Sequence, residues 1–262
     1  MRRSWSPLTN TKKRSLTRRC DPIRRLQPRF ASRVLAILLT VGACAPASAP
    51  DLAAARATLV GELRAQGVTD ARVLSAIGRV PREQFVRPQD RGRAYDNRAL
   101  PIDSGQTISQ PYVVALMSQL LELHGDERVL EVGTGSGYQA AVLALLARDV
   151  YSIEIDAELA DAARVRLQEL GYANVSVRAG DGFYGWEEAA PFDAIIVTAV
   201  APRIPQRLVD QLKPGGRLVI PLGEGAQQML IQGRKQGSGL QTKRVADVAF
   251  VPMMGAIRSP SP

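Results

Sequence analysis

Residues 128–139 read Arg-Val-Leu-Glu-Val-Gly-Thr-Gly-Ser-Gly-Tyr-Gln, and the reading of the whole chain turns on them. Residues 128–131 suit a short buried strand, 133–137 a glycine loop, and 138–148 (YQAAVLALLAR) a helix. Glycine permits the tight turn between strand and helix and lets backbone N–H groups approach a ligand with no Cβ in the way. Strand, glycine loop and helix in that order are the setting in which such a loop binds something. The dinucleotide fingerprint G-x-G-x-x-G needs its third glycine at 138, and the residue there is Tyr138. No phosphate-cradling G-x-x-x-x-G-K-[ST] run occurs in the sequence. What stands is G-x-G-x-G preceded by an acid, with Glu131, Gly133, Thr134, Gly135, Ser136 and Gly137 as candidate binding residues.

Downstream, 150–155 reads as a strand, 157–170 as a helix stopped by Gly171, and 175–178 as a strand. Residues 192–200 (FDAIIVTAV) make a strand apolar enough to be covered on both faces. A helix at 204–212, a turn at Pro214-Gly215-Gly216 and a strand at 217–222 follow, with 228–234 and 245–250 as candidates to close the sheet. Upstream, 52–65 is helix-forming, 70–80 is a second helix ended by Pro81, and 86–110 is loop with room for short strands. A helix starts at Pro111, where Val113, Leu116, Met117, Leu120 and Leu121 share one face, and His124 reads as lying at its end. This alternation predicts an α/β fold: a mostly parallel, doubly wound sheet with helices on both faces, preceded by N-terminal helices. The expected organisation is a basic leader at 1–50, a helical and loop region at 51–110, a ligand-binding core at 111–257 and a disordered tail at 258–262.

Two further marks follow the glycine loop. Glu154 lies 17 residues after Gly137 at a strand end, where a carboxylate can accept hydrogen bonds from both hydroxyls of a ribose. Gly180-Asp181-Gly182 follows the third strand. Taken singly, Glu154 reads equally well as a surface carboxylate and Gly180-Asp181-Gly182 as a plain turn. In order, at the ends of successive strands, they point to one bound ligand.

The acid-led G-x-G-x-G loop resembles motif I of Rossmann-like methyltransferases. That resemblance implies a loop packed against the methionyl and ribose parts of S-adenosylmethionine, and an acid near the adenine amine at Asp181, beside Gly182. A longer likeness is carried by Gly105-Gln-Thr-Ile-Ser-Gln-Pro-Tyr112, by Asp96-Asn97 with Leu100-Pro101, and by residues 129–139. Gly180-Asp-Gly182 with Gly185-Trp186, Ala190-Pro-Phe-Asp-Ala-Ile-Ile-Val-Thr198 and Phe250-Val-Pro252 extend it. Over about residues 52–254 the chain resembles the protein-L-isoaspartate O-methyltransferase family. The resemblance implies methyl transfer from S-adenosylmethionine to the free carboxylate of L-isoaspartyl residues in damaged proteins and peptides, without a metal. It implies Ser109 as the active-site residue, with Thr107, Ile108 and Gln110 shaping the substrate site. Ser109-Gln110-Pro111 also reads as a simple helix start, with proline at the first helical position. A methyltransferase for another carboxylate would share 128–222 and differ at 103–112. An NAD-dependent reductase is disfavoured by Tyr138, and a binding module that has lost catalysis by the intact loop, Glu154 and Asp181.

Composition narrows the chemistry. Formal net charge is +9, yet residues 1–50 carry eleven basic residues and one acid, while the remainder has 23 basic against 24 acidic. The body thus carries −1 and lacks the basic surface that a phosphate backbone requires, so no nucleic-acid partner is expected. Cys20 and Cys44 both fall in the leader, which leaves the body without a thiolate metal site or a cysteine nucleophile. With His124 as the single histidine, Ser-His-Asp hydrolysis also lacks its parts. In the leader, a basic stretch precedes the apolar run Val34-Leu-Ala-Ile-Leu-Leu-Thr-Val-Gly-Ala43 and then small residues, the plan of a secretory signal. Val41-Gly-Ala-Cys44 also resembles a lipoprotein cleavage box, and an unstructured basic tail or an upstream start codon explains the same residues. S-adenosylmethionine is made in the cytoplasm, which is the expected compartment. Export or lipid anchoring through Cys44 is the alternative.

Overall fold

Capping starts the described chain on helices. Asp51 accepts from the backbone N–H groups of Ala53 and Ala54 and opens α1 (Leu52–Ala65). Asp70 accepts from Arg72 and Val73 at the head of α2 (Ala71–Arg79). Each carboxylate takes up donors that a helix start leaves free. The computed structural model describes residues 51–258, so the expectations for the leader and for 259–262 lie outside it. After α2 come short 3₁₀ turns and the two-residue strands β1 (Leu100–Pro101) and β2 (Thr107–Ile108), paired antiparallel with Leu100 opposite Ile108. Pro111 opens α3 (Pro111–Leu120).

The main sheet is built from β3 (Arg128–Val132), β4 (Asp149–Glu154), β5 (Val175–Ala179), β6 (Phe192–Val197), β7 (Leu212–Glu224), β8 (Gln227–Gln236) and β9 (Gly239–Asp247). Helices α4 (Tyr138–Ala144), α5 (Ala157–Glu169) and α6 (Gln206–Asp210) connect its parallel part. Strand order is β5-β4-β3-β6-β7-β8-β9; the first five are mutually parallel, β8 runs antiparallel to β7, and β9 runs antiparallel to β8. Alternate residues of β6 serve opposite faces. Ala194 and Ile196 join a core shared with Leu59, Ile77, Val114 and Val142 of the helices up to α4, while Ile195 and Val197 pack with Leu208 of α6. Both faces are covered, as expected. The N-terminal helices share that first core with the sheet.

Several expected boundaries move. The helix after the glycine loop ends at Ala144 rather than 148, because the N–H groups of Arg148 and Asp149 both donate to the Glu127 carbonyl, at 3.0 and 3.2 Å, and lead into β4. The strand expected at 192–200 ends at Val197. Beyond it, the Val200 N–H donates to Val251 at 2.9 Å and the Met253 N–H to Val200 at 2.8 Å. The helix expected at 204–212 keeps only the five residues of α6. Pro214-Gly215-Gly216 lies inside β7, at the register shift opposite Phe192 and Ala194, a bulge in place of a turn. The last strand runs over Gly239–Asp247 rather than 245–250, freeing 248–254 to cross toward the sheet's C-terminal end. His124 is exposed in the loop after α3, where its N–H donates to Glu127 at 2.8 Å. Arg258 sits in a 3₁₀ turn and donates to the Met253 carbonyl at 2.9 Å.

Candidate active site

The chain runs from β3 outward to β5, then crosses back to β6 on the other side of β3. Loops leaving the C-terminal ends of β3 and β6 therefore part in opposite directions, and the crevice between them is where open parallel sheets bind ligands. The cleft there is lined by Gly133, Thr134, Gly135, Ser136, Glu154 and Gly182 from the sheet side. Gly133 admits no side chain: a Cβ would come within 2.4 Å of the Thr198 hydroxyl, which donates to the Gly133 carbonyl at 2.6 Å. At Gly135, with φ +53°, an added Cβ would meet only Ile102, at 3.6 Å, so the space beside it is the cleft itself. Glu154 is held at the end of β4, its carboxylate accepting from the N–H of Gly135 at 2.8 Å and of Asp156 at 3.1 Å. Asp156 in turn caps α5.

Three expected binding residues act from behind the cleft wall. Glu131 is fully buried opposite Ser152 in register and accepts a hydrogen bond from that hydroxyl, which also meets Thr134 at 2.6 Å. Burial pushes its pKa up to about 8, against the Ser152 hydrogen bond and with the help of Glu154, which favours the neutral acid. It steadies Thr134 through Ser152 without lining the cleft. Gly137 begins α4, where a Cβ would press on Leu167 at 3.2 Å, so it sets the packing of α5 on the loop. Asp181 accepts from the N–H groups of Phe183 at 2.9 Å and Ala256 at 2.7 Å, and so ties the C-terminal segment down beside Gly182.

A second cavity opens on the other side of the 107–109 strap. Asn97, Gln110, Tyr112 and Phe250 are among the residues that line it. Its wall is braced from within: Tyr112 N–H donates to the Asn97 side chain and Gln110 donates to the Asn97 carbonyl, both at 3.0 Å. Thr107, Ser109, Thr198 and Val251 line both cavities, so the two meet there. Of the expected substrate residues, Thr107 and Gln110 face the second cavity, while Ile108 is buried against the first. Sequence reasoning gave no role to Thr198, Ile155, Asn97 or the stretch 251–254. Ile155 and Met254 stand about half exposed, at 46 and 50%, and both line the first cavity. The signal available was an apolar side chain placed directly after the strand-end acid.

Glycine cradle, strand-end carboxylate and exposed apolar side chains fit the ribose, methionyl and aromatic parts of one nucleoside ligand. A doubly wound sheet with that cradle at its switch point, next to a second cavity, defines a Rossmann-like, S-adenosylmethionine-dependent methyltransferase. The family model described as Protein-L-isoaspartate(D-aspartate) O-methyltransferase matches residues 54–258, and the chain belongs to this family. A protein-L-isoaspartate O-methyltransferase of Syntrophobacter fumaroxidans is 47% identical over 234 residues, 85% of this chain and 95% of the relative. One from Polaromonas is 55% identical over 188 residues, 71% and 89% of the two chains. A solved protein-L-isoaspartate O-methyltransferase superposes with a TM-score of 0.71 at 30% identity, covering 77% of this chain and 67% of its own. A Plasmodium falciparum β-aspartate methyltransferase, solved in complex with S-adenosyl-L-homocysteine, gives 0.67 at 26% identity, covering 76% and 98%. The activity is carboxyl O-methylation with S-adenosylmethionine as methyl donor.

Proposed function

We propose that the enzyme methylates the free carboxylate of L-isoaspartyl residues in exposed segments of damaged proteins, and that Ser109 holds that carboxylate at the junction of the two cavities. The observation that carries this reading is the lining shared by both cavities at Thr107, Ser109 and Thr198. On the cofactor side, Gly133, Thr134, Gly135, Ser136, Glu154 and Gly182 form the contact wall, with Glu131, Gly137 and Asp181 supporting it. On the substrate side, Thr107 and Gln110 flank Ser109, and Ile108 backs the strap. When bound, S-adenosylmethionine supplies an electrophilic methyl group on a sulfonium.

The residues around it need to do little proton chemistry. The accepting carboxylate is already ionised at neutral pH. The lone histidine, His124, sits exposed in a loop that contributes to neither cavity. Ser109 donates a hydrogen bond that orients the carboxylate, the walls exclude water, and alignment provides the acceleration. The methyl ester then collapses to a succinimide with loss of methanol, and hydrolysis of the succinimide restores some normal aspartate. Substrates are flexible chain segments, with no nucleic-acid partner, in keeping with the near-neutral body. No helix among the described residues is long and apolar enough to cross a membrane. The cytoplasm, where the methyl donor is made, is the proposed compartment, and the mass of the mature protein tests it: a lipid on Cys44 would refute it. The decisive assay offers two peptides of one sequence, with L-isoaspartate or aspartate. Methylation of the first alone is expected, and equal methylation of both overturns the substrate assignment.

A further inference from the structure

Arg82 begins a 3₁₀ turn (Arg82–Gln84) after Pro81 and has no accessible surface. A buried cation normally takes a carboxylate partner, because desolvating it unpaired is costly. Here the guanidinium has no carboxylate partner among the described residues and donates to backbone carbonyls instead. Its Nε donates to Ala94 at 2.8 Å, and one terminal nitrogen donates to Ser109 at 2.9 Å and reaches Arg98 at 3.5 Å. Its guanidinium carbon lies over the ring of Tyr138, 4.7 Å from the centroid. The Tyr138 hydroxyl and the Arg82 guanidinium are both buried and act on each other directly, the cation favouring the phenolate and the ring favouring the cation. Packing alone does not call for this arrangement, since an apolar side chain would fill the volume without the cost.

What the arginine does accomplish is to join three segments. Arg98 and Ser109 stand on two walls of the second cavity, and Tyr138 lines the first immediately after the glycine loop. A planar fork with donors along its edges and a stackable face can grip both walls and the ring together, which a lysine cannot do. We propose that Arg82 is a positioning residue: it sets the substrate walls against the cofactor loop by holding the Ser109 carbonyl while stacked on Tyr138, and touches neither ligand. This rests on the reading of Ser109 as the residue that orients the substrate. A strap displaced by an ångström leaves both cavities able to fill but misaligns the transfer.

The test uses Arg82→Met and the milder Arg82→Lys in the full chain, with rates counted per site that binds S-adenosylhomocysteine, so that any misfolded fraction drops out. For both variants kcat on the isoaspartyl peptide should fall about ten- to a hundredfold, while S-adenosylhomocysteine affinity stays within about twofold. Lysine should restore thermal stability better than rate, since it keeps the charge and loses the fork. Combined with Ser109→Ala, Arg82→Met should add little to the single loss, because both act on one contact. An unchanged rate per binding site, or fully additive losses, would overturn the proposal. An unchanged rate in Ser109→Ala would instead defeat the reading of Ser109, and Arg82 would then be judged on its own rate.

Discussion

At the scale of single residues, the site separates groups that face ligand from groups that hold others in place. Ser109→Ala should slow methyl transfer by about one to two decades, from the loss of one hydrogen bond to a charged group worth about 1.5–3 kcal/mol. Cofactor affinity should hardly change, which calorimetry with S-adenosylhomocysteine would check. Glu131 makes a prediction of a different kind. Its folded pKa of about 8 lies above the ordinary value of 4.5, so between these two the folded state keeps a proton that the unfolded chain has released. Its contribution is therefore fully present below pH 4.5 and is lost as pH rises through about 8, at up to about 1.4 kcal/mol per pH unit. Glu131→Gln mimics the protonated acid and should flatten this slope. Melting temperatures of the two proteins at pH 5 and pH 8 would show it, and parallel curves would mean the acid is ionised in the fold. The sequence marked Glu131 as an acid before the loop, but only its burial and its hydrogen bond from Ser152 show that it supports the loop from behind.

At the scale of elements, local rules served well where the cause lies within a few residues. Asp51 and Asp70 cap their helices as polar residues at such starts should, and Pro111 opens α3. Asp70→Ala should cost about 1 kcal/mol of stability by chemical denaturation and leave methyltransferase activity per folded molecule unchanged. A drop in activity would show that α2 does more than support the core. Boundaries failed where a distant partner decides them. The helix after the glycine loop does not reach Arg148 because Glu127 claims the amides of Arg148 and Asp149, and Pro214-Gly215-Gly216 stays in β7 because β6 lies alongside. Neither Glu127 nor β6 is a near neighbour in sequence of what it alters.

For the whole molecule, the family model matches residues 54–258, and every site residue named above lies within that span. A chain beginning at Asp51 should therefore fold and keep full activity, as circular dichroism and the isoaspartyl assay would report; loss of folding would mean that the leader completes the core. By itself the sequence determined the α/β class, the glycine loop, Glu154 as the acid after the second strand, and the family. These follow from hydrophobic period and short motifs, whose physics is local. The tertiary structure alone decided which of the marked residues meet. Ser109 comes to Thr198 and Val251 across most of the domain, Asp181 turns to Ala256 75 residues on, and Arg82 reaches Ser109 across 27 residues to join the walls of the site. Such meetings depend on how strands order themselves and how cores fill, and no short window of sequence contains that information.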